Sequence, residues 1–456
     1  MFAAVLLAGV LSAAGCAPSE PVPPGDAAES SPVAADPPNV VLIIVDTLRA
    51  DRLGCYGFPG QTSPEIDALA AGGVRFERVI APASWTRPSI GALLTGHRPR
   101  TLGLYRERAE ILAERFTTLA EILRDNGYTT AGMTANPHIN SSYNFDQGFK
   151  TYLDSHVLFP FMKPAGEQKN YNKSPLRSAR QLFTGALELA REAARPGYLQ
   201  INIMEVHEYN RGANTLTRGE FQAAFRGIAN ADYHAALRQA SHDIGEFVSR
   251  LTALPGWEDT LFVITSDHGE GLDDHPGVLR AQFHGFVLYE SQVAVPLILY
   301  RPGWQPANRV VRRPVRLVDL VPTLLDHLGI AVPGGITGRS LLPLIDGAPS
   351  GVELPPYFIT ESRWRDVNKI AVYGDDWKYI DNRDNWVGVN PQELQPRGGG
   401  ENGAWTDRIG EQQVIAAAMR AYLAAWEKAN PAAVPTLDRD ALSPEEEDQL
   451  ESIGYF

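Results

Sequence analysis

The apolar positions along this chain form two kinds of segment. Short apolar runs, typical of strands buried on both faces, lie at 40–45, 198–204, 261–265 and 295–300, and residues 128–134 also read as a strand. Segments with apolar residues three and four positions apart, typical of amphipathic helices, lie at 64–72, 88–95, 116–126, 176–194, 220–251 and 317–328. This alternation predicts an α/β fold with a mostly parallel central sheet flanked by helices.

The pattern changes after about residue 350. Three short strands at hairpin spacing are predicted at 357–361, 369–373 and 377–380, and a helix follows at 410–428. We therefore expect a large α/β domain over 39–348 and a small C-terminal α+β subdomain, with a short antiparallel sheet, over 349–456. The Gly- and Asn-rich region 384–408 is predicted to be a surface loop.

Length and charge restrict the possible functions. A chain of 456 residues suits one large domain with a smaller one. The 54 acidic and 41 basic residues give a net charge of −13, which disfavours sequence-independent binding of nucleic acid. If the substrate is an anion, the positive charge that binds it must be local to the site.

The N-terminal segment has the features of an export signal. Residues 1–15 form an apolar run that ends in Ala13, Ala14 and Gly15, directly before Cys16. This pattern predicts a signal peptide with a bacterial lipobox and lipidation at Cys16, hence an exported envelope lipoprotein, periplasmic or at the cell surface. The pattern departs from the usual one in that no Lys or Arg precedes the run. The alternative is a plain cleaved signal peptide. Residues 16–38, rich in Pro and Ala, read as a flexible tether.

Metal-ligand side chains follow two of the predicted buried strands. Asp46 ends the first strand, and Asp267 and His268 end the strand at 261–265. The carboxyl ends of parallel strands share one edge of a sheet, so these side chains are expected to meet. A lone Asp at a strand end is more often a turn former. The three residues together favour a divalent metal ion, Zn or Mn more than Ca.

A third candidate lies at the start of a predicted helix. Pro88 suits a first helical turn and Gly96 a C-terminal cap, which puts Thr86 at the N-terminal end. Free backbone N–H groups there favour an anion. A metal-bound hydroxyl at this position could attack phosphorus or sulfur. The alternative is that Thr86 only caps the helix.

Residues 39–104 and 260–346 resemble the sulfatase family of the alkaline phosphatase superfamily. The motifs that carry the resemblance lie at 45–51, 62–70, 88–96, 266–270 and 284–297. The resemblance implies that Asp46, Asp267 and His268 bind the metal. It also implies that Thr86 is both a metal ligand and the catalytic nucleophile.

The resemblance implies further residues on the substrate side. His284 stands where the family has a lysine, and His207 is similar to the histidine that follows the central strand. Both are predicted to act in catalysis and to bind the anionic ester, together with Arg87. A second metal site, formed by Glu205 with His207, His275 or His284, is possible. His275 can equally be a plain loop residue, and Arg49 is interpreted as a structural partner of a carboxylate.

Three positions depart from the family pattern. Thr47 stands where a second Asp is expected, and Ile90 stands where sulfatases have Arg. Thr86 is neither the Cys nor the Ser that becomes formylglycine in sulfatases. The third departure favours phosphoester or phosphodiester chemistry over formylglycine-dependent sulfate release.

The sequence thus predicts a metal-dependent hydrolase of sulfuric or phosphoric esters. One alternative is a transferase that moves a phosphoryl head group onto an envelope glycan or lipid. The missing set of transmembrane helices favours the hydrolase. The other alternative is a non-catalytic binding lipoprotein, which the combination of Asp46, Thr86, Asp267 and His268 argues against.

Overall fold

The computed structural model describes residues 37–105, 110–154, 178–209, 217, 219–305, 307–348, 352–364, 367–397 and 406–437. The predicted signal peptide, Cys16 and most of the tether lie outside these residues. Within the described part of the chain, no helix is both long enough and apolar enough to cross a bilayer.

A nine-stranded sheet organises the larger part of the molecule. Its strands are β1 (Asn39–Val45), β2 (Val74–Ile80), β3 (Thr129–Thr134), β4 (Thr151–Leu153), β5 (Gly197–Ile203), β6 (Thr260–Thr265), β7 (Ala294–Tyr300), β8 (Arg309–Val311) and β9 (Val315–Arg316). The order is β4-β3-β5-β1-β6-β7-β2-β8, and β9 also pairs with β2. The first five strands in this order are parallel, whereas β7 is antiparallel to both of its neighbours.

Strand β1 lies in the middle of the sheet and shows why its sequence lacks polar alternation. It pairs in parallel with β5 on one side and β6 on the other. Val40, Leu42 and Ile44 belong to the apolar core on one face. The alternate residues of the strand belong to a second core on the other face. A strand covered on both sides needs apolar residues at every position.

Helices cover both faces of this sheet. The helices of the described residues are α1 (Pro64–Ala71), α2 (Thr86–Thr95), α3 (Pro99–Leu102), α4 (Leu119–Asp125), α5 (Ala179–Glu192), α6 (Gly219–Ala224), α7 (Ala231–Thr252), α8 (Glu290–Val293), α9 (Leu320–His327), α10 (Leu342–Asp346) and α11 (Gln413–Ala429). Short 3-10 turns lie at Ala50–Arg52, Gly54–Tyr56, Pro137–Ile139, Ser141–Tyr143 and Leu317–Asp319. The predicted α/β class with a mostly parallel sheet is confirmed.

One predicted helix was wrong in its extent, and one strand of the sheet was missed. The single helix predicted at 220–251 is divided into α6 and α7, because Gly227 and Asn230 adopt left-handed conformations with φ of 82° and 55°. Strand β2 was missed, because its sequence alternates apolar residues with Arg75, Glu77 and Arg78 over only seven positions.

A separate antiparallel sheet lies in the C-terminal part. Its strands, in spatial order, are β10 (Phe358–Ser362), β11 (Lys369–Tyr373), β12 (Trp377–Asn382) and β13 (Gln392–Pro396). Helix α11 packs Met419 and Leu423 into a core with Ile370 and Leu394. The small antiparallel sheet is therefore confirmed. The prediction of a loop over the whole of 384–408 was wrong at β13.

Candidate active site

The ends of β1 and β6 bring three metal-ligand side chains together. Asp46 follows β1, and Asp267 and His268 follow the adjacent β6. One ligand atom from each residue lies within 4.8 Å of the others. All three residues are fully buried. The expected meeting of these residues at one sheet edge is thus observed.

The two carboxylates of this cluster have unsatisfied oxygens. Asp46 Oδ1 and Asp267 Oδ2 are buried and accept no hydrogen bond from any residue that the structure describes. Burial, followed by the negative charge of Asp267, raises the pKa of Asp46 well above its usual range. Buried, unpaired carboxylates are costly unless a cation compensates them. The donor set therefore fits a divalent metal ion.

The orientation of His268 is also appropriate for a metal ligand. Its Nδ1 lies 2.9 Å from the carbonyl oxygen of Gly269, a geometry in which Nδ1 carries the proton and donates. The lone pair is then on Nε2, which lies 3.3 Å from Asp267 Oδ2 and 3.2 Å from Thr86 Oγ1. A backbone carbonyl that fixes the tautomer in this way is typical around metal-bound histidines.

Thr86 reaches the cluster from the N-terminus of α2. The helix starts at Thr86, and the N-cap residue Trp85 makes no side-chain capping bond. The Thr86 hydroxyl lies instead beside His268 and 3.4 Å from Asn136 Nδ2. Ser89 Oγ, one turn along, donates to the carbonyl of Asp267 at 2.6 Å and attaches the helix to the end of β6. The alternative that Thr86 is only an N-cap is contradicted by this geometry.

Two residues of the site were missed in the sequence. Asn136 Nδ2 donates to Asp46 Oδ2 at 2.6 Å, and Asn136 Oδ1 accepts from the backbone N–H of His138 at 2.8 Å. Burial, with the nearby charge of Arg87, lowers the pKa of His138 well below its usual range, so this histidine is neutral. Both residues follow β3 at the same carboxyl edge as Asp46. Their position after a predicted strand was the available signal.

The structure brings His284 and His207 next to the metal-ligand cluster. The ring of His284 lies 4.6 Å from that of His268 and 5.1 Å from that of His207, measured between centroids. His284 Nδ1 is 3.2 Å from Glu270 Oε2, and His207 Nδ1 is 2.7 Å from Glu208 Oε1. A carboxylate on Nδ1 orients each ring, as is typical of histidines that bind ligands or transfer protons.

Arg87, which was predicted to bind the anionic ester, is buried between Tyr143 and His138. Its side chain is 1% exposed, and the guanidinium carbon lies 3.5 Å from the ring centroid of Tyr143. Its N–H groups donate to the backbone carbonyls of His138 and Glu110. These contacts make Arg87 a support for His138, and its contact with the ester stays a prediction.

Three further residues considered in the sequence lie outside the cluster. Glu205 Oε1 accepts from the backbone N–H of Ala179 at the start of α5, so its placement does not support a second metal site. His275 packs 4.4 Å from the ring of Tyr289, as expected of a structural residue. Arg49 binds Asp51 and Asp274, which confirms its interpretation as a partner of carboxylates.

The position of the missing second Asp is conformationally unusual. Thr47 is fully buried and has a φ of 58°, in the left-handed region that β-branched residues rarely adopt. Its hydroxyl donates to the carbonyl of Asp46 at 2.7 Å, and its own carbonyl accepts from Tyr233 at 2.9 Å. These contacts hold a strained residue beside the metal-ligand cluster, as is common at functional sites.

Comparison with known sequences places the chain among sulfatases. The model of the family described as Sulfatase matches residues 38–330. Human arylsulfatase A is 28% identical over 360 residues, which make up 69% of this chain and 68% of that protein. Mouse arylsulfatase K is 28% identical over 257 residues, which are 55% of this chain and 44% of that protein. The match to the second relative thus spans less than half of its length.

Solved structures have the same fold. A 2-O GAG sulfatase superposes with a TM-score of 0.66 at 21% identity, covering 89% of this chain and 96% of that one. The phosphonate monoester hydrolase of Agrobacterium radiobacter gives 0.67 at 20% identity, covering 86% and 96%. Because the family model covers well over half of its residues, this chain belongs to the sulfatase family and is an ester-bond hydrolase.

Proposed function

We propose that this protein is a metal-dependent hydrolase of phosphoric esters and that Thr86 is its nucleophile. The observation that carries the proposal is the position of the Thr86 hydroxyl. It lies 3.2 Å from His268 Nε2, next to buried carboxylates that have unpaired oxygens. These surroundings support a catalytic role for the hydroxyl. A threonine that only stabilises the fold would need neither a histidine nor unpaired carboxylates beside it.

The residues present fit a bound divalent cation, with Zn or Mn favoured over Ca. Asp46, Asp267 and His268 would hold it, with the hydroxyl of Thr86 as a further ligand. When bound, such an ion lowers the pKa of a coordinated hydroxyl and offsets the charge that develops on ester oxygens. Asn136 donates to Asp46 and thereby fixes the orientation of that carboxylate.

Thr86 and the two histidines have separate roles in the proposed reaction. Thr86 Oγ1 releases its proton to solvent and attacks phosphorus, the bond from phosphorus to the leaving alcohol oxygen breaks, and a threonine phosphoester forms. The departing oxygen takes a proton from His284 or His207, whose rings lie beside the cluster. A water molecule then gives a proton to the same histidine and attacks the threonine ester, and the released Thr86 oxygen takes up a proton from solvent, which restores the hydroxyl.

Phosphoric esters are favoured over sulfuric esters by the chemistry of the nucleophile. Formylglycine, the aldehyde on which sulfatases rely, is made from Cys or Ser, and this chain has Thr at the position. The similar structures include both a sulfatase and a phosphonate monoester hydrolase, so the fold is compatible with either substrate class. A threonine phosphoester needs only water for its release.

We also propose that the protein acts in the cell envelope, attached through a lipid at Cys16. The support is the apolar run of residues 1–15, which ends in small residues before the cysteine. A transferase using the same site would differ only in the alcohol that intercepts the Thr86 ester. A non-catalytic binding role is disfavoured by the placement of Thr86 within the ligand cluster.

The proposal is tested with the metal-loaded protein on an aryl sulfate, an aryl phosphate and an aryl phosphodiester. We expect the phosphorus esters to be cleaved faster and Thr86→Ala to lose at least about a thousandfold in kcat. The control is Thr95→Ala, at the other end of the same helix, whose hydroxyl bonds only to the Gly91 carbonyl and the His97 N–H among the described residues. Preferred cleavage of the sulfate together with full activity of Thr86→Ala would refute the proposal.

A further inference from the structure

A small cavity lies between the larger part of the molecule, built on the nine-stranded sheet, and the C-terminal part. Arg98, directly before α3, and Arg316, at the end of β9, line it from the larger part. Phe358 of β10 and Trp426 of α11 line it from the C-terminal part. None of the candidate active-site residues lines it. The cavity holds about 20 Å³, which is enough for one water molecule or one monatomic ion.

Arg98 has no negatively charged partner among the residues that the structure describes. Its side chain donates one hydrogen bond there, from Nη1 to the amide oxygen of Asn430 at 3.0 Å. The guanidinium carbon lies 5.5 Å from the ring centroid of Trp426, a contact that attracts a cation without neutralising it. Burial, followed by the positive charge of Arg316, lowers the pKa of Arg98. The cavity therefore has a half-buried cation at its wall with no counter-charge in contact.

The carboxylates whose charge acts on Arg98 are Asp319 and Glu361, and both are bound by other arginines. Arg316 donates from Nε and Nη2 to the two oxygens of Asp319, at 3.1 and 2.5 Å. Arg100 donates to both oxygens of Glu361, with a closest contact of 2.7 Å. Because these pairs are complete, the charge of Arg98 remains uncompensated.

The size and the donors of the cavity together restrict what could occupy it. The remaining N–H groups of Arg98 and the Nη1 group of Arg316 make no side-chain hydrogen bond with the described residues. Guanidinium groups only donate, so they require an acceptor. A water molecule would accept but would leave the charge in place. A phosphate or sulfate group is too large for a cavity with room for one water molecule. A monatomic anion meets both requirements.

We propose that this cavity binds chloride, held between Arg98 and Arg316, and that the ion stabilises the junction between the two parts of the molecule. The site goes beyond ester hydrolysis and does not depend on the reaction at Thr86. Arg316 is 6% exposed, so the ion would be largely shielded from solvent and its attraction to the guanidinium groups would be strong. A ligand that binds the folded chain and not the unfolded one raises stability by mass action.

Thermal unfolding of the full chain tests the proposal. Tm is measured as sodium chloride replaces sodium gluconate at constant ionic strength, so that general screening of charges does not change. We expect Tm to rise by about 1–3 °C and then to saturate. Arg98→Met keeps an unbranched side chain over Trp426 and removes the charge, so it should abolish the rise. A parent Tm that is independent of chloride, or an equal rise in Arg98→Met, would refute the site.

The matched control is Arg115→Met. Arg115 is exposed, lies outside the cavity and has its guanidinium carbon 4.6 Å from the ring centroid of Phe116. The substitution and the aromatic contact are thus the same in kind as at Arg98. The dependence of Tm on chloride should match that of the parent. Loss of the dependence in both variants would assign it to net charge and would overturn the proposal.

Anomalous diffraction from crystals of the full chain soaked in sodium bromide locates the ion directly. Bromide is a monovalent, monatomic anion and stands in for chloride. We expect a peak within hydrogen-bonding distance of the Arg98 and Arg316 guanidinium groups, and none there in Arg98→Met. A missing peak in the parent would overturn the proposal. A peak without the saturable rise in Tm would mean an adventitious ion only and would equally overturn it. Neither measurement involves catalysis, so both outcomes are independent of the role of Thr86.

Discussion

Two neighbouring regions at the carboxyl end of β1 differ in whether their buried charged groups have partners within the protein. At Asp46 and Asp267, carboxylate oxygens are buried without a hydrogen-bond donor among the described residues. Three positions further along, Arg49 is equally buried but binds both oxygens of Asp51, as well as Asp274. Its remaining N–H groups donate to the carbonyls of Glu270 and Gly271.

This difference distinguishes the Asp46 cluster, a functional site, from the Arg49 network, which supports the fold. The Arg49 network is complete within the protein, and its carboxylates raise the pKa of the guanidinium despite burial. The Asp46 cluster is incomplete, and burial raises the pKa of its carboxyl group. A protein tolerates unpaired buried charge where a ligand completes it, so the incomplete cluster marks the place of function. Arg49 also fixes the loop that follows Asp267 and His268.

The largest expected effect comes from removing one charge of the incomplete cluster. Asp267→Asn keeps an oxygen that can accept the His268 N–H, now 2.9 Å from Asp267 Oδ1, but loses the negative charge. We expect kcat/KM to fall by at least about a thousandfold, since the developing charge is no longer stabilised by a bound metal. Metal content after dialysis, measured by elemental analysis, should fall with it.

The matched change in the complete network is Asp274→Asn. It should lower the free energy of unfolding and leave the metal content unchanged. If Asp267→Asn retains both metal and activity, the incomplete cluster is not the catalytic centre.

A smaller effect on stability is expected in the complete network. Arg49→Leu leaves Asp274, which is 17% exposed, without its closest cation, and leaves two buried carbonyls without donors. We expect the free energy of unfolding to fall by about 3–5 kcal/mol in urea denaturation.

The control is Arg124→Leu, in an exposed ion pair with Asp125, which should change stability by less than about 0.5 kcal/mol. Equal effects of the two changes would show that the buried Arg49 network contributes no more to stability than an exposed ion pair.

The sequence was most informative where one physical requirement dominates. Strands β1, β5 and β6 are buried on both faces, so their uninterrupted apolar runs identified them. Strand β2 was missed because its alternation of apolar and polar residues is short and includes a bulge between Phe76 and Val79. Strand β13 was missed because Leu394 is its one large apolar residue in a polar segment. Pairing with β12 decides its conformation, and that interaction is not visible locally.

The same limit applies to the site. Asp46, Asp267 and His268 could be predicted because each lies within three residues of the end of a recognisable strand and has metal-ligand chemistry. Asn136 carries no charge, and its role depends on a hydrogen bond to a residue 90 positions away. The burial of Arg87 over Tyr143 likewise depends on packing between distant segments. Residue type predicts a ligand more readily than it predicts a positioning contact.

Glu205 provides the smallest and most specific test, because it is a buried carboxylate that is only half satisfied. Its Oε1 accepts from Ala179 N–H, whereas its Oε2 has no partner among the described residues. Burial raises its pKa from 4.5 to about 7. Between pH 4.5 and pH 7 the folded state therefore keeps the Glu205 proton that the unfolded state releases. The contribution of Glu205 to stability is present below pH 4.5 and is lost as the pH rises to 7.

Glu205→Gln keeps an acceptor for Ala179 but cannot titrate. We expect the variant to gain about 1–3 kcal/mol over the parent between pH 5 and pH 8 in urea unfolding. A pH-independent difference would show that Glu205 is ionised and compensated like the carboxylates around Arg49.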